Sequence, residues 1–317
     1  MKIIVCGAGG FIGTHLVASL RADNNYVIGV DLKKPEYSKT KANKFIIGDL
    51  RDPKVVKKVV TDDIDQIYQL AADMGGAGYV FTGGNDANIL HNSALINLNI
   101  AHEAIAKKVP RLLYSSSACV YPEHNQLSET EPLCREDTAY PADPDSDYGF
   151  EKLFSERLYM AFARNYGIET KIARLHNIFG PLGSWNNGKE KAPAAVCRKV
   201  ALALDGGEVE VWGSGTQTRS FLYISQCVIG LQRLMSSNCQ IPVNLGSERL
   251  ISINGLFELV ASIAGKKIML KHVPGPLGVR GRVSHNDLIR KELGWAPLEL
   301  LDEGLAETYA WIQRQIS

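Results

Sequence analysis

The fold of this chain is decided by a stretch close to its start, KIIVCGAGGFIG, residues 2–13. A short apolar run there is followed by a glycine-rich turn and then by residues with helical periodicity. Glycine lets backbone N–H groups approach a pyrophosphate closely, and the N-terminus of the following helix favours its negative charge. We therefore expect a dinucleotide to bind at Gly7, Gly10, Phe11, Ile12 and Gly13.

Two acidic residues extend this expected cofactor site. Asp31 ends the second predicted strand, 18 residues after Gly13, where a carboxylate accepts hydrogen bonds from ribose hydroxyls and repels a 2′-phosphate. The pattern therefore favours NAD over NADP, although Lys33 and Lys34 follow closely and could bind a 2′-phosphate. Asp49 ends the third predicted strand and is assigned to the same site.

The first 175 residues alternate between short apolar runs and helical segments, the pattern of a doubly wound parallel sheet. The predicted strands are Lys2–Cys6, Tyr26–Asp31, Phe45–Asp49, Ile64–Ala72, Arg111–Ala118 and Thr170–Leu175, and the predicted helices are Phe11–Ala22, Pro53–Val60, Ala87–Lys107 and Ser146–Tyr166. We predict a Rossmann domain at residues 1–175 that binds the dinucleotide.

After about residue 176 the pattern loosens into loops and predicts a smaller α/β lobe, residues 176–317, that binds the substrate. We expect the chain to return to the first domain near residues 220–245. The predicted strands are Glu208–Trp212, Ser220–Ile224 and Pro242–Leu245, and the predicted helices are Ala192–Leu204, Gln226–Leu234, Asn254–Ala264, Asn286–Leu293 and Glu303–Ile316.

Composition excludes several classes of protein. The chain has 317 residues, 45% hydrophobic and 22% charged, which is typical of globular proteins and excludes disordered, collagen-like and coiled-coil chains. A net charge of +1 provides no global field to hold nucleic acid or an anionic membrane. The chain has neither an apolar run that could span a membrane nor an apolar start long enough for a signal peptide, so we expect a cytoplasmic protein.

The six cysteines are scattered along the chain without a Cys-x-x-Cys pair or a Cys/His cluster. This pattern argues against both a zinc site and a disulfide framework. We therefore expect free thiols and no metal.

A catalytic set is expected at the end of the strand that contains Ser115–Ser117, because ligands of open α/β sheets collect at the carboxyl ends of strands. Tyr148 and Lys152 are four residues apart on a predicted helix and so share one face. A nearby ammonium lowers the pKa of a phenol, which allows a tyrosine to act as the base while hydride leaves an alcohol. The candidate catalytic residues are Ser117, Tyr148 and Lys152.

The order of glycine loop, acidic residue, serine and Tyr-x-x-x-Lys resembles the extended short-chain dehydrogenase/reductase family, in particular its nucleotide-sugar epimerases and dehydratases. The resemblance covers nearly the whole chain. It implies that Ser117 orients a substrate hydroxyl, that Tyr148 is the base, and that Lys152 holds the cofactor ribose and tunes the tyrosine. It also implies a homodimer through the helices Ala87–Lys107 and Ser146–Tyr166.

The residues after Ser117 bear on the type of reaction. Related 4,6-dehydratases resemble this chain but carry an Asp-Glu pair at the positions of Ala118 and Cys119. A thiolate is a competent carbon base when neighbouring positive charge stabilises it. Segments 72–76, 117–122, 174–181, 188–195, 217–221 and 274–282 resemble family members that epimerise a GDP-linked hexose at C3 and C5. That resemblance implies Cys119 and Lys191 as the acid–base pair.

A GDP-sugar substrate follows from the same resemblance. Arginine forks onto phosphate oxygens and an asparagine amide donates to them. The candidate substrate-binding residues are Gly75, Gly76, Ser117, Asn177, Lys191, Arg219, Arg280 and Arg282. His176 is given no catalytic role, and Ser225-Gln226 stands where relatives usually carry an acidic residue.

Two alternatives stay open at this point. One is another nucleotide-sugar epimerase or a 4,6-dehydratase of the same family. The other is a catalytically silent dinucleotide-binding sensor, although such a protein would not need to keep Tyr148 and Lys152.

Overall fold

The computed structural model describes residues 1–275 and 278–316. Its strands are β1 (Lys2–Cys6), β2 (Tyr26–Asp31), β3 (Lys44–Ile47), β4 (Gln66–Gln69), β5 (Arg111–Ser117), β6 (Glu169–Leu175), β7 (Ile178–Phe179), β8 (Gly207–Trp212), β9 (Thr218–Arg219), β10 (Leu222–Tyr223), β11 (Val243–Leu245), β12 (Ile251–Ser252), β13 (Ile268–Val273) and β14 (Gly281–Arg282). Its helices are α1 (Phe11–Ala22), α2 (Pro53–Val59), α3 (Ala77–Val80), α4 (Asp86–Ala106), α5 (Asp147–Tyr166), α6 (Ala192–Leu202), α7 (Ile224–Ser236), α8 (Ile253–Ala264), α9 (Asp287–Leu293) and α10 (Leu301–Ile316).

The predicted doubly wound sheet is confirmed. Seven strands pair in the order β11-β6-β5-β4-β1-β2-β3, and every pairing is parallel. Helices cover both faces: α1 and α7 contribute to one apolar cluster, and α2, α4 and α5 to another. From β1 the chain adds β2 and β3 on one side and β4, β5 and β6 on the other. Ligands of such sheets bind in the crevice at this change of direction.

The later part of the chain forms its own layers. Helices α6, α8 and α10 enclose a third apolar cluster that includes Val200, Val260 and Leu305. Strand β8 pairs with β13, and β9 lies between β12 and β14. Strand β11 joins the central sheet beside β6, whereas β10 pairs with β7 outside it.

Some elements differ from their predicted bounds. The run Ile64–Ala72 is a strand only over Gln66–Gln69, and Ser220–Ile224 only over Leu222–Tyr223, because Ile224 already begins α7. Strand β13 was not predicted, because its apolar run is only three residues long, 268–270, before Lys271 and His272, and none of its residues is fully buried. Pro276 and Leu277, within the segment 274–282 used for the resemblance, lie outside the described residues. Among the helices described, none is long and apolar enough to cross a membrane.

Candidate active site

A cavity of about 560 Å³ lies at the carboxyl ends of β1, β2 and β4. Most of the predicted cofactor residues line it, namely Gly7, Gly10, Phe11, Ile12, Gly13, Asp31 and Asp49. Gly7 has φ +78°, and a Cβ on Gly13 would lie 2.1 Å from the Gly7 carbonyl oxygen, so α1 packs directly against the turn. The exposed N-terminus of α1 and the size of the cavity fit a dinucleotide.

The two acidic residues occupy different surroundings in this cavity. Asp31 accepts a hydrogen bond of 2.9 Å from the backbone N–H of Gly9, a residue that the sequence reasoning did not assign to the site. Asp49 pairs with Arg51 at 2.6 Å, and the hydrogen bond from that guanidinium lowers the pKa of the Asp49 carboxyl. Lys33 is ion-paired with Glu36 at 2.9 Å.

Tyr148 lies in the first turn of α5, next to Ser117. Ser146 caps this helix by accepting a hydrogen bond of 3.3 Å from the N–H of Gly149. Burial raises the pKa of the Tyr148 phenol, the nearby Cys119 adds to the increase, and a hydrogen bond with Ser117 opposes it. Burial therefore outweighs the lowering of this pKa that we expected from a neighbouring ammonium.

Lys152 lies one turn further along α5, as the spacing predicts. Its Nζ is 5.5 Å from the centre of the Tyr148 ring and donates to the carbonyl oxygen of Ser115 at 2.9 Å. Burial lowers the pKa of Lys152, and the carboxylate of Glu151 opposes this effect. Lys152 lines neither cavity but lies directly behind Ser115, which lines the cofactor cavity.

Cys119 lies in a short 3-10 turn, residues 118–120, that follows β5. Its Sγ is 3.2 Å from Nη1 of Arg282, which donates to it. Nε of the same arginine donates to Gln126, and Nη2 pairs with the buried carboxylate of Asp145, each at 2.5 Å. We expected Arg282 at the diphosphate, but its three nitrogens contact side chains, and its positive charge lies beside the thiol.

Lys191 lies at the start of α6, where it lines both cavities. Burial lowers the pKa of its ammonium, so the group releases a proton more readily than an exposed lysine does. The segment before it is held against the turn that contains Gly76, whose N–H donates to the carbonyl oxygen of Lys189 at 3.1 Å. A Cβ on Gly76 would lie 2.4 Å from the carbonyl oxygen of Glu190.

A second cavity, of about 330 Å³, adjoins the first and shares Lys191 with it. It brings together most of the predicted catalytic and substrate residues, namely Gly75, Gly76, Ser117, Cys119, Tyr148, Asn177, Lys191, Arg219 and Arg282. Burial and the nearby Arg282 lower the pKa of Arg219 to about 10. Arg280 is exposed and is not among the lining residues that the structure describes.

Several residues of the site were missed by sequence reasoning. Asp145 and Gln126 hold Arg282 from 137 and 156 residues away in the chain, and no local pattern connects them to it. Lys199 on α6 and Glu210 on β8 also line the second cavity. The helix and the strand were predicted, but neither residue was assigned to a site.

Comparison with known proteins places the chain among enzymes. Residues 3–246 match the model of the NAD dependent epimerase/dehydratase family. GDP-mannose 3,5-epimerase of Arabidopsis thaliana is 45% identical over 318 residues, which cover 100% of this chain and 83% of the relative. UDP-glucuronic acid decarboxylase 1 of Danio rerio is 30% identical, covering 99% of this chain and 73% of the relative.

Two solved structures share the fold of this chain. A crystal structure of UDP-glucose 4-epimerase from Thermotoga maritima has a TM-score of 0.86 at 23% identity, covering 100% of both chains. MoeE5 in complex with UDP-glucose and NAD has a TM-score of 0.82 at 26% identity, also covering 100% of both chains. The predicted NAD cofactor and the predicted enzyme class, an epimerase, are confirmed. The chain belongs to the NAD-dependent epimerase/dehydratase family.

Proposed function

We propose that this enzyme inverts C3 and C5 of GDP-mannose through a transient 4-keto sugar, giving GDP-L-galactose and also the 5-epimer GDP-L-gulose. One observation carries the proposal: Cys119 and Lys191 line the same cavity as Ser117 and Tyr148. A simple 4-epimerase needs no such second acid–base pair. The 45% identity to a GDP-mannose 3,5-epimerase supports the same choice of reaction.

The first step is oxidation of the sugar at C4. Ser117 and Tyr148 bind the C4 hydroxyl, and the phenolate of Tyr148 accepts its proton. The residues that line the first cavity would hold NAD, which would supply a reversible hydride acceptor for C4, so that the sugar undergoes no net oxidation. A hydrogen bond with Ser117 and the charge of Arg282 lower the pKa of Tyr148 and oppose the effect of burial. Lys152, whose Nζ is 5.5 Å from the centre of the Tyr148 ring, is assigned the role of tuning the phenol.

The 4-keto group then acidifies the hydrogens on C3 and C5. One group removes a proton from one face of the sugar, and the other returns a proton to the opposite face. The guanidinium of Arg282 donates to Sγ of Cys119 at 3.2 Å, which places a positive charge beside the group assigned as the carbon base. Burial lowers the pKa of Lys191, which makes that lysine the matching partner for proton transfer.

The GDP moiety is held by positive charge along the second cavity. Arg219, Lys191 and Lys199 line it, and Asn177 adds an amide there. Arg280 and Arg282 complete the set assigned to the substrate; Arg280 is exposed outside the lining of the cavity, and Arg282 contacts Cys119. Residues 1–175, with 220–245, form the cofactor part in this proposal, and 176–317 mainly the part that binds the GDP-sugar.

Turnover of GDP-mannose in deuterated water tests the reaction. We expect deuterium at both C3 and C5 of recovered sugar, with no change in mass beyond the label. The variant Cys119→Ala should lose this exchange and still bind NAD. Absence of label from both carbons, or loss of water from the sugar, would refute the proposed reaction in favour of a 4-epimerase or a dehydratase.

We also propose a homodimer formed through α4 and α5. Both helices carry exposed apolar side chains, Leu98 on α4 and Phe150 and Phe154 on α5, which a partner subunit would cover. Sedimentation should show a dimer that Phe154→Glu converts to monomers, whereas Leu204→Glu, at an exposed leucine of the smaller lobe, should leave it intact. A monomeric wild type would contradict this assignment.

A cytoplasmic location completes the proposal. All six cysteines are free and most are buried, which suits a reducing compartment. Fractionation of the source cells should recover the protein with cytosolic markers, and recovery with secreted protein would contradict the assignment.

A further inference from the structure

The second cavity extends well beyond the catalytic residues, along α6. Lys191 directly precedes this helix and Lys199 lies eight residues further on, which at the rise of an α-helix is ~12 Å. Nζ of Lys199 donates to the backbone oxygen of Glu210 at 2.7 Å, and Glu210 and Trp212 line this far end of the cavity. A nucleotide sugar with its hexose at Cys119 is long enough to place its base here.

At this end, Glu210 presents a carboxylate that lies near the ammonium of Lys199 but accepts no hydrogen bond from the described residues. Strand β8 alternates, with Val209 and Val211 buried and Glu208, Glu210 and Trp212 on the exposed face. The carboxylate of Glu208 pairs with Lys271 at 3.4 Å. Within residues 1–275 and 278–316, the carboxylate of Glu210 accepts no hydrogen bond.

The other carboxylate among the described lining residues is already engaged. Glu190 pairs with Arg198 at 3.0 Å and accepts a hydrogen bond of 2.7 Å from the N–H of Gly188. A carboxylate beside Lys199, in a cavity that Lys191, Arg219 and Arg282 also line, would repel a diphosphate. It must therefore serve a part of the ligand that carries hydrogen-bond donors.

We infer that Glu210 recognises the nucleobase and selects guanine, an inference that rests on the proposed GDP-sugar substrate. Guanine presents two parallel donors, N1–H and the 2-amino group, which match the two oxygens of a carboxylate. The adjacent oxygen O6 is an acceptor, and the ammonium of Lys199 has two N–H groups left to donate to it. Uracil would turn carbonyl oxygens toward Glu210, so UDP-sugars are rejected by repulsion as well as by lost contacts.

Binding of nucleoside diphosphates to the NAD-loaded protein tests the inference without depending on turnover. GDP, IDP and UDP are titrated calorimetrically into the wild type, Glu210→Gln and Glu208→Gln. IDP lacks only the 2-amino group of GDP. In the wild type we expect GDP to bind about 10- to 100-fold more tightly than IDP, which loses one hydrogen bond to the charged carboxylate, and at least as much more tightly than UDP, which loses both.

The variants separate Glu210 from its neighbour. Glu210→Gln should weaken GDP binding about 10- to 100-fold and bring GDP and IDP close together, while Glu208→Gln binds like the wild type. Equal binding of GDP and IDP by the wild type, or Glu210→Gln binding GDP as Glu208→Gln does, would overturn the inference. Selective GDP binding through Glu210 without epimerisation of GDP-mannose would refute the proposed reaction and leave the base assignment supported.

Discussion

Replacing Gly76 by alanine tests whether close backbone packing positions Lys191. The new Cβ would lie 2.4 Å from the carbonyl oxygen of Glu190, where ordinary contact begins at 3.4 Å. The segment that leads into Lys191 must therefore move by about 1 Å, a displacement that can cost a catalytic group about 100-fold in rate. We expect epimerisation by Gly76→Ala to slow by about that factor.

The assay separates this displacement from general damage. Deuterium uptake at C3 and C5 of GDP-mannose should fall about 100-fold, since it depends on Lys191. Oxidation at C4, followed as transient NADH absorbance, should stay near the wild type, because Ser117 lies on β5 and Tyr148 on α5, outside the segment that moves.

Gly78 provides a matched control in the same turn. A Cβ at Gly78 meets nothing within 4 Å, so Gly78→Ala should exchange deuterium at the wild-type rate. Gly76→Ala exchanging as fast as Gly78→Ala would refute the reasoning. A parallel loss of C4 oxidation in Gly76→Ala would also refute it, because the damage would then not be confined to Lys191.

Three further predictions concern buried charge. Asp145→Asn leaves Arg282 buried without its carboxylate and should lower the free energy of unfolding by about 3–5 kcal/mol in urea titrations; a loss below about 1 kcal/mol would contradict this. Burial lowers the pKa of His176 from 6.5 to about 3, so the unfolded chain binds more protons between these values and stability falls as the pH drops, by about 2 kcal/mol from pH 7 to pH 5. Substituting His176 by glutamine should flatten this dependence of stability on pH. An unchanged dependence would argue against His176 as its source. Glu151→Gln removes the carboxylate charge that raises the pKa of Lys152, so the alkaline decline of kcat/KM should move to lower pH. An unmoved pH profile would count against this role of Glu151.

The parts of the site that sequence reasoning found are those built by local patterns. The glycine turn follows β1 and precedes α1 in one continuous stretch, and its residues line the cofactor cavity as expected. Tyr148 and Lys152 are one helical turn apart, so their shared face follows from the geometry of α5 alone. Cys119 and Lys191 were found through resemblance to a family, and not from spacing.

Local patterns were enough to predict the doubly wound fold and the order of the cofactor and catalytic motifs, because both depend on neighbours within a few residues. The tertiary structure decided that Arg282 lies at the thiol of Cys119, 163 residues away, and that Asp145 holds it there. It also placed Glu210 beside Lys199 in the substrate cavity, with a carboxylate that accepts no hydrogen bond from the described residues. Such contacts join separate elements, and their partners are set by how the smaller lobe packs over the sheet and not by any periodicity along the chain.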